Sequence, residues 1–452
     1  MKRRDFLQST LATASLTSLS PLMFLGDESR KPTVGLIGSG WYGKCDLLQL
    51  LNVADVDVVS LCDVDSRMVD EAAELVASRQ TSKQRPKVYA DYRKQLQDHQ
   101  HDIVLIATPD HWHSLPMIAA VESGAHVYCQ KPTGTDVLES KAMLDAARQH
   151  NRVVQIGTQR RSTPHLIEAK QRVVDEGLLG DIAHVDICCY YHMRTRKTKA
   201  EAPDKPAPDF LNWEAYTGPA PMRPFNDIVH PRGWRAFMEY SNGIVGDMCV
   251  HMLDLTRFML DLGWPERVSS AGGILVDTES RANTTDTQTA TFHYPDLNVV
   301  WTHRCWGHPS NKEYPWSAII YGDKGTLKLS VQKYEFEPRG KGQRMSGEAV
   351  IELDKYPQDK SDQQDWAMEL HVGSAIRGHM RDFLDAIKED RKPIADIEQG
   401  HISSASCFLA NVAMDVGRTL AWDPDLHRVT NVESANKRLK RKWRKPYQHP
   451  AG

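Results

Sequence analysis

Residues 33–63 read TVGLIGSGWYGKCDLLQLLNVADVDVVSLCD, and the fold turns on this stretch. Thr33 to Ile37 is a short apolar strand that runs into Gly38-Ser39-Gly40-Trp41-Tyr42-Gly43. A helical pattern follows through Leu51, and Val56 to Leu61 forms a second buried strand ending at Asp63. Strand, glycine-rich turn, helix, strand and then an acid about 20 residues past the last glycine is the order of a dinucleotide-binding unit. The first glycine makes the tight turn, the second lets the backbone approach a pyrophosphate, and the third lets helix pack on strand. Amides at the helix N-terminus then hold the phosphates. Gly38, Ser39, Gly40, Trp41 and Tyr42 are therefore candidate cofactor contacts. Asp63 is expected to accept from the adenosine ribose hydroxyls and to repel a 2'-phosphate, which favours NAD over NADP. Arg67, close by, pulls the other way.

Outward from this unit the alternation continues. Asp102 to Ala107 reads as a strand ending in Thr108-Pro109-Asp110-His111-Trp112-His113, followed by a helix over Leu115–Ser123. Ala125 to Cys129 leads into Gln130-Lys131-Pro132, a helix spans Asp136–His150, and Val153 to Gly157 is the next strand. Strands alternating with helices at this spacing predict a parallel, doubly wound sheet with right-handed crossovers over residues 31–157. From Thr158 the texture changes to longer loops, many aromatics and strands that alternate. Ala183–Tyr191, Val268–Val276, Thr287–His293, Asn298–Cys305 and Ser317–Leu329 predict one largely antiparallel sheet. The stretch Arg194–Pro208 reads as a surface excursion. Helices over His379–Glu389 and Gly400–Leu420 close this second domain, set at 158–425.

A formal net charge of -3 carries no bias toward nucleic acid or a lipid surface. The basic run KRLKRKWRK, Lys437 to Lys445 in a tail spanning 426–452, reads as a solvated terminal segment. Eight cysteines show no CxxC pair and no zinc-like spacing with histidine, so neither a disulfide framework nor a metal is expected. Residues 1–26 differ from the rest: Arg3 and Arg4, then Phe6 and Leu7, precede an uncharged run from Leu11 to Leu25. This resembles a twin-arginine export signal, which predicts a periplasmic protein. The run is too short and too rich in Ser and Thr for a stable membrane span.

GLIGSGWYG, the strand ending ATPDHWH, the QKP turn, GDMCVHMLD and the later YGDKGTLKL together resemble the Gfo/Idh/MocA oxidoreductase family, over nearly the whole chain after the leader. The resemblance implies an α/β Rossmann domain followed by an α+β domain with an open-faced, largely antiparallel sheet. It implies NAD(P)-dependent oxidation or reduction of carbohydrate or cyclitol carbons. By that likeness Lys131 matches the active-site lysine of a Glu-Lys-Pro turn, and Asp247 and His251 match an Asp-x-x-x-His pair. Here Gln130 stands where the family has Glu; an amide still serves cofactor hydroxyl or carboxamide groups, but any tuning of Lys131 by a negative charge falls away.

The chemistry is consistent with these residues. Taking a hydride from an alcohol carbon leaves a proton to remove, so a base must lie within hydrogen-bond reach of that hydroxyl. His251, titrating near neutrality, is the natural candidate, with Lys131 holding the oxygen and Asp247 orienting the ring or a second hydroxyl. Asp254, three residues on, is a further candidate. Thr108, Pro109, His113, Gln130 and Gln159 are expected along the cofactor groove, with Arg160 nearby. Trp213, Tyr216, Trp234 and Arg235 resemble the family's aromatic and Trp-Arg elements, which makes Arg235 a substrate candidate. A metal at His111 and His113 is disfavoured because no carboxylate or cysteine cluster accompanies them.

The leading expectation is an NAD-dependent oxidoreductase acting on a sugar or polyol. NAD-assisted glycoside cleavage or epimerisation by transient oxidation, and a noncatalytic NAD or sugar sensor, are the alternatives. Export would make a tightly held NAD the expectation, and the open sheet predicts a homo-oligomer.

Overall fold

The computed structural model describes residues 30–190 and 196–452. The export signal expected over 1–26, the last residue of the strand expected to end at Tyr191 and the opening of the excursion at Arg194 lie outside the described residues. Six strands form the first sheet: β1 (Thr33–Ile37), β2 (Asp57–Cys62), β3 (Lys87–Tyr89), β4 (Ile103–Ile106), β5 (His126–Cys129) and β6 (Val154–Ile156). All neighbours pair in parallel in the order β3-β2-β1-β4-β5-β6. Both faces are covered, so these strands are short continuous apolar runs, with Val34, Leu36, Ile103 and Leu105 buried. Strand β3 escaped the sequence reading because three residues with an exposed lysine carry no usable pattern.

The second sheet has ten strands in the order β14-β13-β12-β11-β7-β10-β9-β8-β15-β16. They are β7 (Ile182–Cys189), β8 (Arg267–Gly273), β9 (Thr287–His293), β10 (Asn298–Arg304), β11 (Trp316–Gly322), β12 (Gly325–Ser330), β13 (Lys333–Pro338), β14 (Met345–Glu348), β15 (Leu420–Asp423) and β16 (Arg428–Val429). Pairing is antiparallel except between β7 and β10. The single strand expected over Ser317–Leu329 is two strands, β11 and β12, turning at Asp323 and Lys324. Charged turn residues inside an otherwise continuous apolar pattern hid that break.

Alternation sets the two faces of this sheet. On β9 Gln288, Ala290 and Phe292 are buried, while Thr289 is exposed and Thr291 half-buried. The buried face meets the helices Val250–Leu260 and Ile397–Val416 in one core. Thus the apolar side is covered from within the chain, and the open face carries mainly Thr, Asn, His and Arg.

Two segments change sides relative to the sequence reading. The helix expected over His379–Glu389 begins at Leu370, and its stripe Val372, Ile376, Met380, Phe383 and Ile387 packs into the core of the first sheet. Positions three and four apart form one apolar face, and nothing in chain order says which sheet that face covers. The basic tail is not a solvated run either: Leu439 and His449 are buried, and Arg441 donates to Met238 O, Ser241 O and Asn242 Oδ1 at 2.5, 2.9 and 2.8 Å. No helix among the described residues is long and apolar enough to cross a membrane.

Candidate active site

A cavity of about 860 Å³ runs along the carboxyl ends of the first sheet's strands and under residues from the second half of the chain. At one end stands the glycine turn. Gly38 has φ +92°, and a Cβ on Gly43 would lie 2.0 Å from the Gly38 carbonyl oxygen, so the turn closes only with glycine there. A Cβ on Gly40 would instead meet nothing nearer than 3.9 Å, which leaves the first turn of the helix Trp41–Val53 open to a ligand's backbone approach. This is the cradle a pyrophosphate requires, so the residues present fit a dinucleotide.

Asp63 follows β2 and lines the cavity. Its carboxylate accepts from Ser39 N at 2.7 Å and Asp65 N at 3.0 Å, and burial raises its pKa. Ser39 does not line the cavity; its part is to tie Asp63 to the turn. Sequence reasoning missed Asp65, which caps the helix Ser66–Arg79 and lies 2.9 Å from His230 Nε2. Arg67 is drawn to Asp65 and stacks 3.2 Å above the Phe210 ring. That engagement removes the objection it posed to an NAD preference.

His230 opens a strap, residues 230–235, that runs along the groove. Arg232 lies 3.5 Å over the Trp41 ring, and Arg235 Nε lies 3.5 Å from Asp247 Oδ2. The strap spans from Asp65 to Asp247.

At the far end Lys131, just past β5, donates to Asp247 Oδ1 at 2.6 Å and to the Asp247 carbonyl oxygen at 2.7 Å. That carbonyl is available because Val245–Cys249 is a π-turn, a break in the helical ladder common at functional sites. Lysine has three N–H donors, and two are thereby used. Burial alone would raise the Asp247 pKa, but Lys131 and Arg235 hold it below the usual value. His251, on the next turn, packs edge-on against Trp316. Burial, then Lys131 and Arg160, push its pKa well below 6.5. The expectation that it titrates near neutrality is corrected: the ring is neutral at physiological pH.

The buried polar atoms on cavity-lining residues that have no hydrogen-bond partner among the described residues include Thr108 Oγ1, Gln159 Oε1, Tyr216 Oη, His230 Nδ1, Asp247 Oδ2 and His251 Nδ1. Buried polar atoms are nearly always paired, so orphans gathered in one cavity mark where a ligand's groups go. Gln159 also donates to the Tyr42 hydroxyl at 2.7 Å. Trp41, Tyr42, Pro109, Arg160, Tyr216, Trp234 and Arg235 line the same cavity.

Other expected residues have different work. Gln130 lines the cavity, but its amide donates to Asp46 Oδ2 at 2.7 Å. Burial pushes that carboxyl up to about 8, and Gln130 partly offsets the rise. His113 lies between Pro132 O (2.7 Å) and Thr108 O (2.9 Å), joining two loops. Burial lowers its pKa to about 4, so the neutral ring donates to one carbonyl at a time. His111 Nε2 meets Tyr216 O at 2.9 Å. Asp254 is not in the cavity: it is fully buried in a two-point pair with Arg161 (2.8 and 2.9 Å) and accepts from Ser403. Trp213 stacks on Tyr216 at 5.0 Å behind the wall.

Comparison with known proteins agrees with this geometry. Residues 33–158 match the model of the oxidoreductase family's NAD-binding Rossmann fold, and residues 172–419 match that of its C-terminal alpha/beta domain. A glycosyl hydrolase family 109 protein of Stenotrophomonas maltophilia is 29% identical over 46% of this chain and 46% of its own length. Levoglucosan dehydrogenase of Pseudarthrobacter phenanthrenivorans is 28% identical over 53% of this chain and 56% of its own. The chain thus spans about half the length of these curated relatives. An Agrobacterium radiobacter oxidoreductase solved with NAD+, L-tartaric acid and magnesium superposes with a TM-score of 0.65 at 16% identity, over 87% of this chain and 98% of that one. The Caulobacter crescentus aldose-aldose oxidoreductase gives 0.63 at 17% identity, over 87% and 100%. A glycine cradle, an acid just past β2 and a Lys-Asp-His end in one cavity, under family models covering both halves, place this chain in the Gfo/Idh/MocA oxidoreductase family.

Proposed function

We propose that this chain moves a hydride between NAD and a hydroxyl or ketone carbon of a sugar or polyol, with Lys131, Asp247 and His251 as catalytic residues. The observation that carries the reading is the convergence at one cavity end of an ammonium with a donor to spare and two orphaned acceptors. NAD, when bound, supplies the hydride acceptor or donor. The third N–H of Lys131 holds the substrate oxygen. The neutral His251 accepts the hydroxyl proton at Nδ1 as the carbon is oxidised and returns it in reduction. Asp247 holds the Lys131 ammonium in place, and Oδ2 with Arg235 is left for a neighbouring hydroxyl. Thr108 and Gln159 offer an acceptor each along the cofactor. A panel of sugars and polyols with NAD, followed by NADH absorbance, tests this: turnover that survives Lys131→Ala sinks the catalytic assignment, and NAD binding without turnover of any of them favours a sensor.

A second reading is glycoside cleavage or epimerisation with the hydride returned in the same turnover. The similarity to the family 109 glycosyl hydrolase favours it, as does similarity to an alpha-N-acetylgalactosaminidase of Shewanella oneidensis. Aryl-glycoside cleavage with no net NADH supports it; stoichiometric NADH supports the dehydrogenase. NAD that stays with the protein through gel filtration would support a tightly held cofactor. We also propose export by the twin-arginine route to the periplasm, supported by Arg3 and Arg4 with the uncharged run behind them. Replacing both arginines by lysine leaves the protein in the cytoplasm if that is right. Self-association through the open sheet face is tested by light scattering.

A further inference from the structure

We infer that the C-terminal tail completes the adenosine end of the cofactor site, with Tyr447 as the wall against which the adenine is held. This rests on the cofactor lying with its adenosine ribose at Asp63 and its reactive ring toward Lys131. Those two residues follow β2 and β5, three strand spacings or roughly 14 Å apart across the sheet.

The aromatic residues on the Asp63 side stand in a row. Tyr92 follows β3, whose Tyr89 carbonyl accepts from Asp63 N at 3.1 Å. The Tyr92 ring meets Trp112 at 6.0 Å, and Trp112 meets Tyr447 edge-on at 5.5 Å. All three line the cavity, with Val64, Asn212 and Glu214 close by in the same wall. A purine is flat, weakly polar on its faces and well held by aromatic rings. No phosphate or charge is needed for that contact.

Tyr447 is held in place from both sides. On the first-sheet side Leu138 N donates to Leu439 O at 3.1 Å, Arg441 N donates to Asp136 Oδ2 at 2.9 Å, and His449 Nε2 meets the same oxygen at 3.0 Å. On the other side the Arg441 guanidinium bonds residues 238, 241 and 242. Arg444 donates to Gly218 O at 2.8 Å and pairs with Glu214 at 2.5 Å. Tyr447 lies between the Arg444 and His449 anchors and closes the turn through Tyr447 N to Arg444 O at 3.0 Å. The match to the family's C-terminal domain ends at residue 419, so Tyr447 lies outside the matched residues, whereas Tyr92 and Trp112 lie within the matched Rossmann region. The basic run that sequence composition marks as solvated is a clasp, and its cationic residues are what seat the ring.

Direct binding to nucleotide-free protein tests the assignment, with AMP and nicotinamide mononucleotide as half-cofactor probes and calorimetry as the readout. Tyr447→Ala is expected to weaken AMP and NAD about tenfold, the usual scale for losing a base-aromatic stack. It should leave nicotinamide mononucleotide within about twofold. Tyr447→Phe keeps wild-type affinity for all three. Tyr447→Leu, which fills the space without a ring, repeats the AMP-specific loss in a variant less prone to misfolding. Unchanged AMP affinity in both ring-less variants overturns the inference, and so does equal loss of both probes, which makes the tail a clasp alone. A wild-type protein that binds no NAD would sink the cofactor orientation itself, a result distinct from an indifferent Tyr447.

Discussion

Two aspartates seven residues apart on one helical stretch have opposite fates. Asp254 is saturated: Arg161 grips both oxygens, Ser403 adds a third hydrogen bond, and the side chain is fully buried. Asp247 is left half-satisfied, with Oδ1 on Lys131 and Oδ2 without a hydrogen bond, 3.5 Å from Arg235 Nε. Both carboxylates are buried and held below the usual pKa by cations. What separates framework from site is therefore not charge, burial or ionisation but completeness: a closed ion pair has nothing left to offer a ligand.

Lys131→Met is the strongest way to break that comparison. Removing the donor that holds the substrate oxygen is expected to lower kcat/KM by about 10²- to 10⁴-fold, measured by NADH formation on the identified substrate. Its melting temperature should fall less than that of Asp254→Ala. The second variant strips a buried guanidinium of its partner, which costs about 3–5 kcal/mol in stability. Denaturant unfolding checks the figure, and activity per folded molecule should stay near wild type. If Asp254→Ala instead loses kcat while keeping its stability, the division between the two aspartates fails.

The pH profile sharpens the same contrast at His251. Burial, Lys131 and Arg160 disfavour the imidazolium, so the ring takes up its proton only well below 6.5. The base form is therefore retained as pH falls through 6.5, and kcat/KM should stay level there, declining only at lower pH. An acid limb centred near 6.5 that disappears in His251→Gln would show that the ring is solvated in the working enzyme.

Much of this was legible in the sequence because the relevant physics is local. The glycine turn is dictated by backbone sterics within six residues, and the parallel strands by apolar runs that need no partner to be recognised. Lys131, Asp247 and His251 were expected through the resemblance to the family's motifs, and the structure brings all three to one cavity. Three things were not, each for a nonlocal reason. Asp254 reads like Asp247 until Arg161, 93 residues away, is seen to close on it. The stripe from Val372 to Ile387 has a clear helical period but no mark of which sheet it covers. The basic tail looks solvated because its acceptors are backbone carbonyls at 218, 238 and 241, which no side-chain pattern announces. The strap anchor His230 is silent for the same reason, since its partner Asp65 lies 165 residues earlier.

The smallest expected effect tests a third carboxylate, Asp46, which has neither a closed ion pair nor an open face. Its one neutral partner is the Gln130 amide, and burial leaves it with a pKa near 8, so it holds its proton at pH 7. Gln130→Glu would restore the family's usual residue but set a second carboxyl against Asp46. Two buried carboxyls in contact do not both ionise, so the pair should share a proton and release it only above neutral pH. The consequence falls first on Asp46 and the packing beneath the cofactor, where a Cβ on Gly157 would already meet the Gln130 amide at 2.7 Å. NAD affinity is expected to fall about two- to fivefold at pH 7, an energetic change of under 1 kcal/mol, and to fall further as pH rises through 8. Calorimetric titration with NAD across pH 6 to 9 checks this. A variant whose affinity is independent of pH, but whose kcat follows a shifted basic limb, would instead place the new carboxylate's influence on Lys131.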